Sequence, residues 1–594
     1  MSRAKLILSF AVVAGCSGGS TPPPFGVPIT GGTLLVTKSG HAVVSDPDRD
    51  RIAIVDLSTG TTTRELQLTP GDEPGRVIED GAGRLHVALR RGGSLLTLDS
   101  AASGEVTALR RVCTEPRGLA WDATTSSVHV ACTGGELVTF PAAGGEATRR
   151  LRLDRDLRDV IVSPSGQLTV TRFRSAELLT LDAAGAVVAR TTPPPVLRFT
   201  SAGPFDPIDP SGTPPQAFAS TAWRAIPLAD GRIVVSHQRA VDKKLGDRDD
   251  HPGGYGGGCN KGPVEAGMTV VTPGQSPMPL EPVAHGALPV DIAVAPGGTR
   301  IALVLAGQKT VTVRDAAFAL GRPDQDKCGP DDDDDDDDDD QGEDLGAPTS
   351  ASFAQNGDLV IYYPEKPALV VRVGAGATKR LIPLSGEHSN DLGRAVFHSQ
   401  TQLALACASC HPEGRDDGRV WKFVESGARR TQSLAGDLLQ RAPFHWNGDM
   451  TSLDVLMDNV FVKRMSGGEL TAHQKVGLAQ FLDRIPAPVP GAVVETAAVA
   501  RGQTIFQSAQ AGCATCHGGE LLTNNQLVNV GTGGNFKVPS LLGISDRAPF
   551  MHAGCAATLA DRFSTTCGGG DAHGRTSHLS PAQLADLIAY LESL

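Results

Sequence analysis

The pentapeptides Cys407-Ala408-Ser409-Cys410-His411 and Cys513-Ala514-Thr515-Cys516-His517 decide how the last third of this chain folds. Two thiols three positions apart with an abutting imidazole are the attachment signature of c-type haem. Each thiol can form a thioether with a haem vinyl group, and the adjacent His411 or His517 becomes the proximal iron ligand. Two covalently bound haem c groups are therefore expected. The alternatives are a redox-active dithiol or half of a zinc site, and the histidine abutting each motif together with an export signal at the N-terminus favours haem.

Outward from the motifs the sequence repeats itself. Ser433-Leu434-Ala435-Gly436 and Arg441-Ala442-Pro443-Phe444 return as Ser540-Leu541-Leu542-Gly543 and Arg547-Ala548-Pro549-Phe550. The haem cysteines and the Arg-Ala-Pro-Phe runs share one offset of 106 positions, 407 to 513 and 441 to 547. Each copy ends at a helix start, Leu470-Thr471-Ala472-His473-Gln474 and Leu579-Ser580-Pro581-Ala582-Gln583. In both, a hydroxyl N-cap precedes Gln by three residues, a capping box, and Pro581 suits the first helical position. Leu584, Leu587, Ile588 and Leu591 then fall on one helical face. Two all-α cytochrome c domains are expected, at 387–487 and 495–594, with the Pro-rich stretch 486–490 between them.

This tandem resembles the bacterial di-haem cytochrome c peroxidases and their relatives that mature methylamine dehydrogenase. The resemblance rests on Gly393-Arg394-Ala395-Val396-Phe397, Cys407 to Pro412, Arg430-Thr431-Gln432-Ser433-Leu434, Phe444-His445-Trp446-Asn447-Gly448 and Ala548-Pro549-Phe550-Met551-His552-Ala553-Gly554. It covers the last third of the chain. It implies one haem that accepts electrons and relays them to a second where peroxide is cleaved, with a Trp on the electron path and a Glu and a Gln beside the peroxide. Trp446 matches the Trp. Arg464 stands where the Glu belongs and Leu456 where the Gln belongs. Heterolysis of peroxide needs a group that moves a proton between its oxygens, so this departure argues against peroxidase turnover.

For the distal ligands, Met465 lies just before the first terminal helix, and thioether ligation there would raise the haem potential. The second copy offers His573, with His578 and Met551 as alternatives. The family's Met for the electron-accepting haem would fall near Thr566, a further departure.

Before Glu387 the chain reads as strands. Arg51-Ile52-Ala53-Ile54-Val55-Asp56, Ser94-Leu95-Leu96-Thr97-Leu98-Asp99 and Ala176-Glu177-Leu178-Leu179-Thr180-Leu181-Asp182 alternate with turns such as Asp80-Gly81-Ala82-Gly83 and Ser163-Pro164-Ser165-Gly166. A unit of about 40 residues with four short strands is the signature of propeller blades. An all-β propeller of about seven blades is expected over 31–386, with six or eight blades, or an array of β-sandwiches, as alternatives. Long insertions are expected near His237 to Gly267 and near 321–346. The second holds ten consecutive aspartates, Asp331 to Asp340, whose mutual repulsion predicts disorder. Their oxygens could attract Ca²⁺, although a run without Gly turns lacks an ordered coordinating loop. The net charge of −12 rests mostly on this run, so the rest of the chain is nearly neutral and gives no footing for nucleic acid.

The N-terminus reads as an export signal over 1–15, with Arg3, Lys5, an apolar run from Leu6 to Val13 and a lipobox-like Val13-Ala14-Gly15-Cys16. Cleavage before Cys16 would leave a lipidated cysteine and a flexible tether over 16–30. An ordinary secretory peptide cut nearby is the alternative. The expected location is a bacterial cell envelope, as an outer-membrane lipoprotein held by its lipid alone. Of eleven cysteines, six remain outside the lipobox and haem motifs. In an exported protein they suggest disulfides, most simply Cys113 with Cys132, Cys259 with Cys328 and Cys555 with Cys567. Two functional readings follow. One is a peroxidase-like di-haem oxidoreductase acting with a redox protein or a small redox substrate. The other is an electron carrier whose propeller binds a partner or ligand.

Overall fold

The computed structural model describes residues 29–197, 215–246, 254–255, 262–280, 283, 286–315, 344–376, 378–488 and 495–594. The export signal, Cys16, Cys259, Cys328 and the aspartate run lie outside the described residues. Ile29 and Thr30, expected as the end of the tether, are buried instead. Ile29 joins the apolar core, and Thr30 Oγ1 accepts a hydrogen bond from the Arg158 guanidinium at 2.9 Å, so the chain is fixed before the first strand.

The N-terminal part is propeller-like, built from small antiparallel sheets. Seven of them follow one another along the chain, most with strands paired in sequence order. Their leading strands are Leu34–Val36, Pro74–Glu79, Pro116–Asp122, Leu157–Val162, Gln216–Pro227, Pro289–Val294 and Ser350–Phe353. Each sheet packs against the next, and the last packs against the first. One apolar cluster makes that closure, with Leu34, Val36, Ala42 and Val44 of the first sheet against Val360, Tyr362, Leu369 and Val371 of the last. The central strands are covered on both faces, which is why Arg51–Asp56 and Ser94–Leu98 read as nearly unbroken apolar runs. Outermost strands such as Thr61–Gln67 are exposed, and their sequence is polar.

The turns follow their sequence signals. Asp80 accepts from the backbone N–H groups of Ala82 at 2.8 Å and Arg84 at 2.9 Å, and Gly83 supplies the positive φ of 82°. A disulfide joins Cys113, in the loop between the second and third sheets, to Cys132 of the third, with Cα atoms 6.5 Å apart. Closing that loop contributes about 3 kcal/mol by restricting the unfolded chain. The first long insertion is narrower than its sequence suggests. His237 lies in the strand Ile233–Val241 and Gly267 in Val264–Val271, because both segments alternate well enough to pair.

The C-terminal part forms two similar helical units. In the first, helix Leu392–His398 crosses helix Ala472–Asp483; in the second, Thr496–Gln507 crosses Pro581–Glu592. Both crossings are close enough to require glycine. A Cβ on Gly393 would stand 2.1 Å from the Gly477 carbonyl oxygen, and one on Gly502 would stand 2.0 Å from that of Asp586. An aromatic pair clasps each crossing, Phe397 with Phe481 at 5.2 Å and Phe506 with Tyr590 at 5.1 Å between centroids. Both capping boxes form. The N–H groups of Thr471 and Ser580 donate to Gln474 and Gln583 Oε1 at 2.9 Å, and the return bonds are 3.3 Å. A second disulfide joins Cys555 to Cys567. No helix among the described residues is long and apolar enough to cross a membrane.

Candidate haem site

One cavity of about 660 Å³ runs through both helical units and is lined by both Cys-x-x-Cys-His motifs. Cys407, Cys410, Cys513 and Cys516 are free thiols. The two motif histidines are held alike. His411 Nδ1 lies 3.2 Å from the Arg415 carbonyl oxygen, and His517 Nδ1 lies 3.2 Å from that of Leu522. A carbonyl only accepts, so each Nδ1 carries the proton, and a second backbone carbonyl, that of Gln432 for His411 and of Pro539 for His517, also hydrogen-bonds each ring. Burial holds both rings in the neutral form, and His517, with Arg562 nearby, falls to about 4.

At the second motif His573 enters the same cavity. Its ring centroid is 6.4 Å from that of His517, with 33° between the planes. His517 and His573 would both be within reach of a haem iron bound in this cavity, as candidate ligands to it. His573 is pushed down to about 3 by burial, with Arg562 and His517 adding to the effect. Of the alternatives, Met551 also lines the cavity, whereas His578 is exposed and does not. At the first motif Met465 is buried and packs with Leu403, Leu405 and Trp421 beside Cys407 and Cys410. The π-helical turn Met457–Arg464 delivers it, and such wide turns commonly sit at functional positions.

The two units interlock through a pair of reciprocal backbone bonds. Arg430 N–H donates to the His552 carbonyl at 2.7 Å, and Lys537 N–H donates to the Trp446 carbonyl at 2.8 Å. Trp446 and His552 are also counterparts in the internal repeat. Each lies within a loop closed by a Phe N–H that donates at 2.7 Å, Phe444 to the Met450 carbonyl and Phe550 to that of Ala556. The Trp446 and His552 rings meet at 6.3 Å, nearly edge to face, and His552 stacks on Phe536 at 3.8 Å. Trp446 is fixed by its own Nε1–H, which donates to the Arg430 carbonyl at 2.7 Å. An unbroken aromatic contact therefore joins the two halves of the cavity.

The charge of the lining tests whether haem fits. Arg429, Arg430, Arg441, Arg464, Arg547, Arg562 and Lys537 all line the cavity, and among the described residues Asp449 is the one carboxylate that does. Burial, with Arg441 nearby, lowers the Lys537 ammonium to about 8. Two haems would bring four propionates to these cations, so the chain's own residues fit the group.

Several functional positions were missed in the sequence. Glu413 and Arg415, just after the first motif, reach into the propeller and pair there with Arg158 and Glu115. Tyr255, from the insertion, lines the cavity, packs against Phe423 at 6.1 Å between centroids and donates its N–H to the Arg464 carbonyl at 2.9 Å. His552 carried a signal that could have found it, since it stands 106 positions after Trp446, the offset of the whole repeat.

The second helical unit is a cytochrome c domain, since the family model for cytochrome c matches residues 499–594. It supplies a covalently bound haem c and electron transfer. Hydrazine synthase subunit gamma of Kuenenia stuttgartiensis is similar at 27% identity, over 32% of this chain and 73% of that protein. Among solved structures, Kuenenia stuttgartiensis hydrazine synthase matches at a TM-score of 0.42 and 15% identity, covering 64% of this chain and 100% of that one. Virginiamycin B lyase from Staphylococcus aureus matches at 0.38 and 10%, covering 57% and 92%.

Proposed function

We propose that this chain is a di-haem c-type electron-transfer protein of the cell envelope, with two cytochrome c units seated on a seven-bladed propeller and an N-terminal lipid on Cys16. The observation that carries the reading is the shared cavity, with a Cys-x-x-Cys-His motif at each end and Trp446 against His552 between them. Each haem c, once bound, stores one electron at its iron. The chain's residues then do the rest. His411 and His517 are the neutral motif imidazoles, His573 lies beside His517 and Met465 beside Cys407 and Cys410 as distal candidates, and the buried cations would hold propionates. Trp446 keeps the two halves in van der Waals contact.

Rapid-mixing reduction tests the reading. With less than one electron per protein, both haem bands should appear in a constant ratio. Trp446→Ala should slow that equilibration at least tenfold while leaving both haems attached. An unchanged rate would remove Trp446 from the path, and a protein with one haem would overturn the di-haem assignment. The resemblance to the peroxidases supports a second reading, peroxide reduction. Arg464 and Leu456 both line the cavity, and neither can take the proton that peroxide must lose.

A further inference from the structure

The propeller reaches the first haem motif from its proximal side. Leading strands carry charged residues that pair with one another in a largely buried chain. Arg76 Nε is 3.0 Å from Asp159, Arg224 is 3.1 Å from Asp159 and 3.3 Å from Asp291. Into this group the segment following His411 inserts its side chains. Glu413 lies 2.8 Å from Arg158, 3.2 Å from Arg90 and 3.3 Å from Arg117. Arg415 turns the other way and makes a two-pronged pair with Glu115, at 2.5 Å and 3.2 Å. Asp416 lies 3.0 Å from Arg174. The haem motif itself is also held, because Gln238 Nε2 donates to the Ser409 carbonyl at 2.7 Å.

We propose that Glu115 is a positioning residue for the first haem, acting through Arg415, whose carbonyl receives the His411 Nδ1 proton. A planar guanidinium gripped at two points has little freedom, so the backbone oxygen beside it stays aimed at the imidazole. Partners of this kind orient a metal-binding histidine and raise its basicity. The second motif lacks the device. Leu522, which receives the His517 proton, belongs to the same unit, so the propeller addresses one haem and leaves the other alone. This inference rests on the reading that the first unit carries haem c.

The test is a spectroelectrochemical titration of the full mature protein, with haem counted on each motif peptide. Glu115→Gln removes a negative charge near the first iron and loosens the His411 bond, and both effects favour the reduced state. The midpoint of the first haem should shift upward and that of the second should stay. Asp48→Asn is the control. It breaks the Arg394–Asp48 pair, which also ties the first unit to the propeller but through helix Leu392–His398 rather than through the segment after His411. Should Glu115→Gln fail to fold, Arg415→Lys keeps the charge, loses the two-pronged grip and should shift the first midpoint the same way by less. An unmoved first midpoint in these variants would overturn the proposal, as would an equal shift in Asp48→Asn, which would make the effect one of docking in general. A first motif without haem in the unaltered protein would instead defeat the di-haem reading itself.

Discussion

The two helical units share a design and differ in what surrounds them. Both close a glycine crossing with an aromatic clasp, and both hold the motif histidine through Nδ1. The first unit, however, sends Glu413, Arg415 and Asp416 into the propeller, where they meet cations and an anion removed from water. It also shares a sheet with the propeller, since Lys244–Leu245 pairs parallel to Lys422–Phe423. Among the described residues the second unit pairs with the propeller through Arg155 and Asp546 at 3.0 Å, and both side chains remain partly exposed. Interlocking backbone bonds to the first unit hold it as well. Duplication thus produced two sites of similar local geometry, and burial decided which one the propeller can influence.

The largest expected difference between the units concerns stability. Glu413→Ala leaves three buried guanidinium groups without their shared carboxylate and should cost about 3–5 kcal/mol. Asp546→Ala removes a partly exposed pair and should cost about 1 kcal/mol or less. Thermal or denaturant unfolding of the two variants checks the contrast, and equal losses would break it.

Acid should weaken the first docking. Burial alone would raise the Glu115 carboxyl, but Arg415 and Arg117 hold it at about 2, against an ordinary value of 4.5. A depressed carboxylate stabilises the fold fully above its unfolded value, and that contribution fades as pH falls from 4.5 toward 2. The gap in Tm between the native protein and Glu115→Gln should be widest above that window and close within it.

The distal residues sharpen the comparison further. His573→Ala should convert the second haem alone from low to high spin, and Met465→Ala the first alone. Electron paramagnetic resonance separates the two. The smallest effect is expected in catalysis. The unaltered protein should turn over peroxide poorly, and Arg464→Glu together with Met465→Ala should raise that turnover, because a carboxylate can accept the proton that a guanidinium cannot.

Much of this could be read from residues alone. The motif cysteines and histidines, the repeat at 106 positions and the two capping boxes depend on short-range chemistry, and short-range chemistry is written in spacing. The strand runs of the propeller were legible because buried central strands must be apolar. What escaped were charges whose meaning is set by distant partners. Nothing local marks Glu413 as the shared partner of three arginines or Arg415 as a clamp, since their partners are roughly 250–320 residues earlier in the chain. A faint signal did exist. Arg76, Arg117 and Asp291 fall on leading strands, where a buried charge beside apolar residues calls for a buried partner.

The central claim is that both units, joined through one cavity, carry haem c. Peptide mass spectrometry of the mature full-length protein tests it most directly. The account predicts a haem covalently attached to the peptide containing Cys407 and Cys410 and another attached to the peptide containing Cys513 and Cys516. Haem on the second peptide alone, after expression with a functioning maturation system, would contradict it.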